Sequence, residues 1–354
     1  MGNEITGSVI KQGFKLGGTS DDWGDELVIG AGDRLRGSIS PNYTNQILQK
    51  QIVGSGNIMQ DESQKGRLTP VVNHSTDLGF ENGTEKMIAQ FFGTAGAPTE
   101  QNAGEGDYLH QFTMNSSPNP VYGTFAYELT SDKVLVLPSV AVSQITLSSQ
   151  GADEQYMQVQ SVLNGNDIVL DSTSNTNATL TSATFADQEC VRIKSSDEFY
   201  LNDQSGSDFA SGDLFRIISY NFTMNRPQQM FGNIHGAAGN TAPIMTDLPT
   251  GQLTVTLEVL GNITEFTKWQ NETYQKCKLV SEGTQIGSGD NKNFTIYCPR
   301  MKLLNPPQVP ITSSGFNQVT LVYDLFQAAA NPTGLASTMP YIEITNERTT
   351  AYIA

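Results

Sequence analysis

The residues from 248 to 328 limit what this chain can fold into more tightly than any other stretch. Leu253, Val255, Leu257 and Val259 alternate with Thr254, Thr256 and Glu258. That period of two sets successive side chains on opposite faces of a half-buried strand. Asn262-Ile263-Thr264-Glu265 then offers a helix start, with Asn262 or Thr264 as cap and an acid in the first turn. Phe266 and Trp269, three apart, lie on one face of that helix. The helical pattern ends near Lys276 to Lys278. Alternation returns at Phe294, Ile296 and Cys298, and again at Val319, Leu321, Tyr323 and Leu325. One helix over several half-apolar strands makes a two-layer core.

Composition points the same way. Hydrophobic residues make up 37% of the 354 and charged residues only 16%. The difference is filled by Ser, Thr, Asn, Gln and Gly, the profile of a β-rich, turn-rich protein. The length suits one large domain or two smaller ones, either able to bury a core. The net charge of −16 disfavours binding to a polyanion. The acids are scattered, apart from a cluster at Asp21, Asp22, Asp25 and Glu26.

In chain order, residues 1–40 read as a Gly-rich N-terminal arm. Gly30-Ala31-Gly32 lacks the spacing and the following Lys of a phosphate loop. Residues 41–66 show no clear period, but apolar Tyr43, Ile47, Leu48, Ile52, Val53, Ile58 and Met59 sit among polar neighbours. A loop of that length is expected to be functional, and it reads as a partner-facing hairpin or arm. Residues 67–354 read as one β domain in two similar halves. In the first, a strand at Leu68–Asn73 leads to a helix capped by Thr84. That helix has a Met87, Ile88, Phe91, Phe92 stripe and ends at Gly93. Strands follow at Tyr108–Met114 and Val121–Leu129. The second half, 248–328, repeats the order strand, helix, strand, strand. Between them lie short strands at intervals that suggest a sandwich or small barrel, with 150–210 as an elaborated or decorating region. The last strand is Met339–Asn346, and the apolar Tyr352 and Ile353 close the chain.

Catalytic and ligand-binding patterns are sparse. His74, His110 and His235 are far apart and fit no metal-binding spacing. No G-x-S-x-G elbow is present. Asp197-Glu198 are neighbours in a strand, so they point to opposite faces. Asp203 to Asp208 reads as an Asx-rich turn with a calcium-binding alternative. Cys190, Cys277 and Cys298 form neither a C-x-x-C motif nor an even-numbered framework and read as small buried hydrophobes. The start, Met-Gly-Asn-Glu-Ile, lacks the apolar core of a secretory signal, and no apolar run approaches the ~20 residues of a membrane helix. No cofactor and no metal are expected.

The order of these pieces resembles the tail tube (major tail) proteins of tailed bacteriophages. Four stretches carry the resemblance: Gly66-Arg67-Leu68-Thr69-Pro70-Val71-Val72 feeding Thr84 to Gly93; Val140 to Leu147; Phe215 through Pro227; and Gly251 to Val259 with its helix and closing strands. The Gly-rich start and the 150–210 region depart from the simplest members. The resemblance implies a mainly β fold, a β-sandwich or barrel flanked by one or two α-helices, with extended loops and terminal arms. It implies a non-enzymatic virion protein, made in the host cytoplasm, whose rings, commonly hexameric, stack into a tube that DNA traverses without specific binding. The expected partners are other copies of this chain, a tape-measure protein, and tail-terminator or baseplate proteins, with no membrane insertion. Expected interface residues are Tyr43, Ile47, Leu48, Ile52, Val53, Ile58, Met59, Tyr352 and Ile353. Thr254, Thr256 and Glu258 are expected to face an acidic lumen. The alternatives are another virion part (baseplate, decoration or fibre) and a carbohydrate-binding β-sandwich, for which Trp23 and Trp269 are the tryptophans on hand.

Overall fold

The computed structural model describes residues 10–50, 62–115, 121–150, 155–194, 197–231, 241–258, 263–307 and 318–353. The protein is mainly β, with 51% strand and 9% helix, as the alternating pattern predicts. In chain order β1 (Gln12–Leu16), β2 (Arg34–Leu35), β3 (Ser38–Lys50) and β4 (Glu62–Asp77) precede helix α1 (Thr84–Phe92). Next come β5 (Gly93–Ala95), β6 (Thr99–Glu100), β7 (Tyr108–Met114), β8 (Gly123–Thr130), β9 (Lys133–Gln150), β10 (Gln158–Gly165), β11 (Val169–Leu170) and helix α2 (Asn177–Ser182). Then follow β12 (Glu198–Asp203), β13 (Leu214–Phe215), β14 (Ile217–Asn225), β15 (Gln228–Gln229), β16 (Ile244–Met245), β17 (Thr250–Glu258) and helix α3 (Ile263–Gln270). The chain closes with β18 (Gln275–Gln285), β19 (Asn291–Leu303), β20 (Gln318–Leu325) and β21 (Tyr341–Asn346).

Two antiparallel layers dominate. The long sheet runs β3-β4-β10-β9-β14-β17-β20. The second runs from β5 and β6 through β7, β21, β19, β18 and β12 to β13. They join where Met301–Leu303 of β19 pair with β20. Val72, Val159, Ile145, Phe222, Val255 and Leu321 of the long sheet share one buried cluster with Phe112, Ile342, Phe294, Leu279 and Phe199 of the second. The alternating apolar members of both sheets therefore face each other.

A third, smaller set runs β2-β1-β8-β9-β11, using the first half of β9. Its outer side is covered by Leu180 and Ala183, from α2 and its C-cap, which pack with Ile29, Ala126 and Val136. Residues 12–35, expected as an irregular arm, are thus woven into the fold, and Phe14, Ile29 and Leu35 are fully buried. Nor does the 150–210 region stand apart: β10 pairs with β4 and β9, and β12 with β18.

Helices α1 and α3 differ. All nine residues of α1 are buried, so the expected stripe understates its burial. Its polar side chains have partners: the Lys86 ammonium lies 2.7 Å from Asp33, and the Gln90 amide donates to Val121 and Val140 carbonyls at 3.0 and 2.7 Å. The cap position expected of Thr84 is held by Gly83, and the Asn82 side-chain oxygen just before it accepts from the Thr84 N–H at 3.2 Å. Gly93 ends the helix with φ 77°, a conformation open to glycine at little cost. In α3, Phe266 is 39% exposed while Glu265 is 1% exposed. The Tyr323 hydroxyl of β20 donates to Glu265 at 3.2 Å, and Lys268 lies 3.4 Å from it. The buried Glu265, bonded to Tyr323 of β20, and the half-buried Trp269, packed on the core, hold this helix to the sheet, while Phe266 stays exposed.

The two stretches expected to be alike differ in their strands: two short strands, β5 and β6, separate α1 from β7, whereas β18 follows α3 directly. β18 and β19 form a hairpin, whereas β7 pairs with β21 and β8 with β1 and β9. Substituting Phe91→Ala should cost about 3–5 kcal/mol by cavity formation, and Phe266→Ala less than about 1 kcal/mol, both read from denaturant midpoints. Equal losses at the two positions would contradict this account of α1 and α3.

Candidate functional site

The outward members of the long sheet are the polar halves of its alternating strands. In β17 these include Thr254 and Thr256, opposite Leu253, Val255 and Leu257, which are buried. In β14 they are Asn221 and Thr223, opposite Tyr220, Phe222 and Met224. Strand register lines these residues up. One row crosses eight strands: Ser38, Ser75, Gln160, Thr146, Thr223, Gln252, Asp324 and Lys302. With strands spaced about 4.8 Å, the row spans roughly 34 Å. A parallel row holds Asp77, Gln158, Ser148, Asn221, Thr254 and Val322. A third holds Ser219, Thr256 and Thr320.

The side chains along these rows bond to one another. Thr146 and Thr223 hydroxyls lie 3.2 Å apart, Thr223 donates to Asn221 at 3.2 Å, and Gln252 donates to Asp324 at 3.4 Å. Asn73, Gln160, Asn221, Gln252 and Thr320 are exposed to solvent. In these three rows the described ionisable side chains, Asp77, Asp324 and Lys302, sit at the ends. Glu258 ends β17, and its side chain lies outside the described residues. Among the described side chains, the face carrying Thr254 and Thr256 is therefore uncharged over its middle, with two acids and one lysine at its margins.

The expected interface residues divide. Tyr43 is partly buried against its own core, with its hydroxyl 2.7 Å from that of Tyr127. Tyr352 is 5% exposed. Its ring stacks edge-on to His110 at 4.8 Å, its hydroxyl accepts from Asn346 at 2.8 Å, and Arg348 lies over it at 4.4 Å. Ile353 packs partly buried on the same core. Burial of the apolar tail is achieved inside its own chain, which corrects its assignment to a neighbour. Ile47 and Leu48 lie in β3. Their side chains, and Ile52, Val53, Ile58 and Met59 entirely, fall outside the described residues. The stretch expected as a long assembly loop is, in its described parts, a strand pair. From Thr44 and Thr69 outward β3 and β4 pair only with each other.

The other candidates have structural partners. His74 Nε2–H donates to the Arg36 carbonyl at 2.6 Å and His110 Nε2–H to that of Arg348 at 2.9 Å; His235 lies outside the described residues. The carboxyl of Asp197 accepts from Ser281 at 3.0 Å, and that of Glu198 from Tyr200 at 2.5 Å. In the Asp203–Asp208 turn, the cation at the converging carbonyls is the Lys276 ammonium. It donates to Gly206, Ser207 and Thr333 carbonyls at 3.2, 2.7 and 2.8 Å. Trp269 packs partly against the core, and Trp23 sits edge-on to Tyr122 at 4.8 Å. Among the described residues no group of three potential metal ligands occurs, and no helix is long and apolar enough to cross a membrane.

A scan of the chain against protein-family models found no match, and a search of curated proteins found none.

Several buried groups give this core a pH signature, and His74 (with His110) and Glu85 act in opposite directions. Burial pushes His74 down to about 4, so the unfolded chain takes up a proton near pH 6.5 that the folded chain refuses. Its contribution is present above about 6.5 and lost as pH falls towards 4. Glu85 acts in the opposite direction. Burial raises it to about 7, so its contribution is present below about 4.5 and lost as pH rises through 7. Unfolding midpoints from about pH 4 to 8 should show His74→Gln reducing the stability loss on the acid side, with His110 supplying the remainder, and Glu85→Gln reducing the loss on the neutral side. A slope unchanged in either variant would contradict the assignment.

Proposed function

We propose that the chain is a structural subunit that assembles through its long sheet into rings and a tube, with the uncharged polar face turned to a channel for DNA. The observation that carries this reading is the run of Ser, Thr, Asn and Gln across the sheet. Proteins hold the phosphate backbone by placing Lys and Arg against it and releasing counterions, and hold single strands by stacking bases on aromatic rings. The middle of this face offers neither, so a passing duplex meets hydroxyls and amides with no point of retention. Acids at the margins add repulsion without lining the whole surface.

The edges support the same reading. Among the described strands β3 pairs only with β4, and Gln318–Thr320 of β20 pair only with β17. Open edges are templates for further strands. Two different edges meeting between copies form a heterologous contact, which closes a ring or runs on as a filament. The outer part of the β3–β4 ribbon is also too thin to be stable alone in water, and a neighbouring subunit would cover it. On this reading the chain belongs in a virion tail after assembly in the host cytoplasm. Its further partners would be a tape-measure protein and the proteins at the tube's ends.

Sedimentation and electron microscopy of the purified protein over a concentration series should show rings or tubes. Monomers at every concentration, with no virion containing the chain, would sink the proposal. The paired substitution Thr254→Lys, Thr256→Lys should leave assembly intact but make the particles retain DNA at about 0.15 M salt and release it at higher salt. Retention by the unsubstituted particles would contradict a neutral channel.

A further inference from the structure

Cys277 of β18 and Cys298 of β19 are direct register partners in an antiparallel ladder. Residues so paired have Cα atoms about 4.5–5.5 Å apart, within the roughly 4.4–6.8 Å that a disulfide spans. Both side chains are on the inner face and fully buried as free thiols. Cys190 is elsewhere: half-buried, with its sulfur 3.9 Å from the Asn82 amide and 3.7 Å from the Gln188 carbonyl.

We propose that Cys277 and Cys298 are a redox pair, two thiols while the chain is kept in reducing solution and one intrachain disulfide after exposure to a small-molecule disulfide oxidant. With oxidised glutathione the step balances in two exchanges. The thiolate of one cysteine attacks glutathione disulfide, forming a mixed disulfide and expelling one glutathione thiolate. The second cysteine, having lost its proton to solvent, attacks the protein sulfur of that mixed disulfide and expels the other. Two protein thiols are oxidised and one glutathione disulfide is reduced to two thiols. Attack needs the thiolate and access. Burial holds the Cys298 thiol well above its usual range and hides both sulfurs, so exchange takes place while the β18–β19 hairpin is open, chiefly during folding. Once closed, the bond fastens the two strands that carry the centre of the second sheet.

The test is refolding of the full chain with oxidised and reduced glutathione, against refolding in a reductant, followed by alkylation in urea and peptide mapping by mass spectrometry. The oxidised sample should yield a Cys277–Cys298 cross-linked peptide lighter by two hydrogens, with Cys190 alkylated or carrying glutathione. Its urea midpoint should exceed that of the reduced sample. A Cys190→Ser variant should form the same cross-link, and Cys298→Ser none. Three alkylated cysteines, or a cross-link through Cys190, would overturn the pairing. A cross-link with no gain in midpoint would overturn the fastening role.

Discussion

The fold depends on one strand, β9, and on the break in its middle. Its first half bonds β8 and β11, and its second half bonds β10 and β14. The changeover falls at Pro138 and Ser139, where the β8 register shifts between Gly123 and Phe125. Pro138 has no N–H to give the ladder, and its carbonyl is taken by the Thr124 hydroxyl at 2.6 Å. The Ser139 hydroxyl is held by the Gly24 N–H at 2.8 Å and donates to the Asp25 carbonyl at 3.2 Å. The bulge bends the strand and lets one continuous segment leave the small sheet and become the centre of the long one. Placing β9 there sets β10 and β14 on either side of it, and through them the polar rows.

Those rows explain how a low share of charged residues and an overall acidic chain can coexist in one function. The acids gather away from the middle of the long sheet, for instance around Lys292, which faces Asp187, Glu189 and Glu347 at 2.6, 3.1 and 3.5 Å. The face left to Ser, Thr, Asn and Gln is wet and neutral. The proposed channel surface thus follows from what its strands omit as much as from what they carry.

Much of this was legible in the sequence, and the limits are physical. Tyr108–Met114 coincides with β7, and Thr254 and Thr256 fall on the outer face, because a period of two reports which side of a strand a residue takes. Periodicity cannot report which strand lies next. Thr146, Thr223 and Gln160 therefore could not be joined to Thr254 from sequence, although each is the polar member of an alternating run. The N-terminal residues give no such signal for a related reason. β1 and β2 are too short to show a period, and long-range pairing with β8 decides their state. Glu265 escaped notice because a buried acid looks like a helix-start acid until the Tyr323 hydroxyl is beside it. Tyr352 looked like an unburied tail because its partners, His110 and Asn346, lie on strands far and near along the chain.

The central claim is that the neutral face of the long sheet becomes the inner wall of an assembly. A cryo-electron microscopy reconstruction of the assembled particles tests it most directly. The account predicts a closed inner wall built from β9, β14 and β17, with Thr146, Thr223 and Thr254 pointing into the channel. A reconstruction with those three residues on the outer surface, or with lysine and arginine side chains lining the channel, would contradict it.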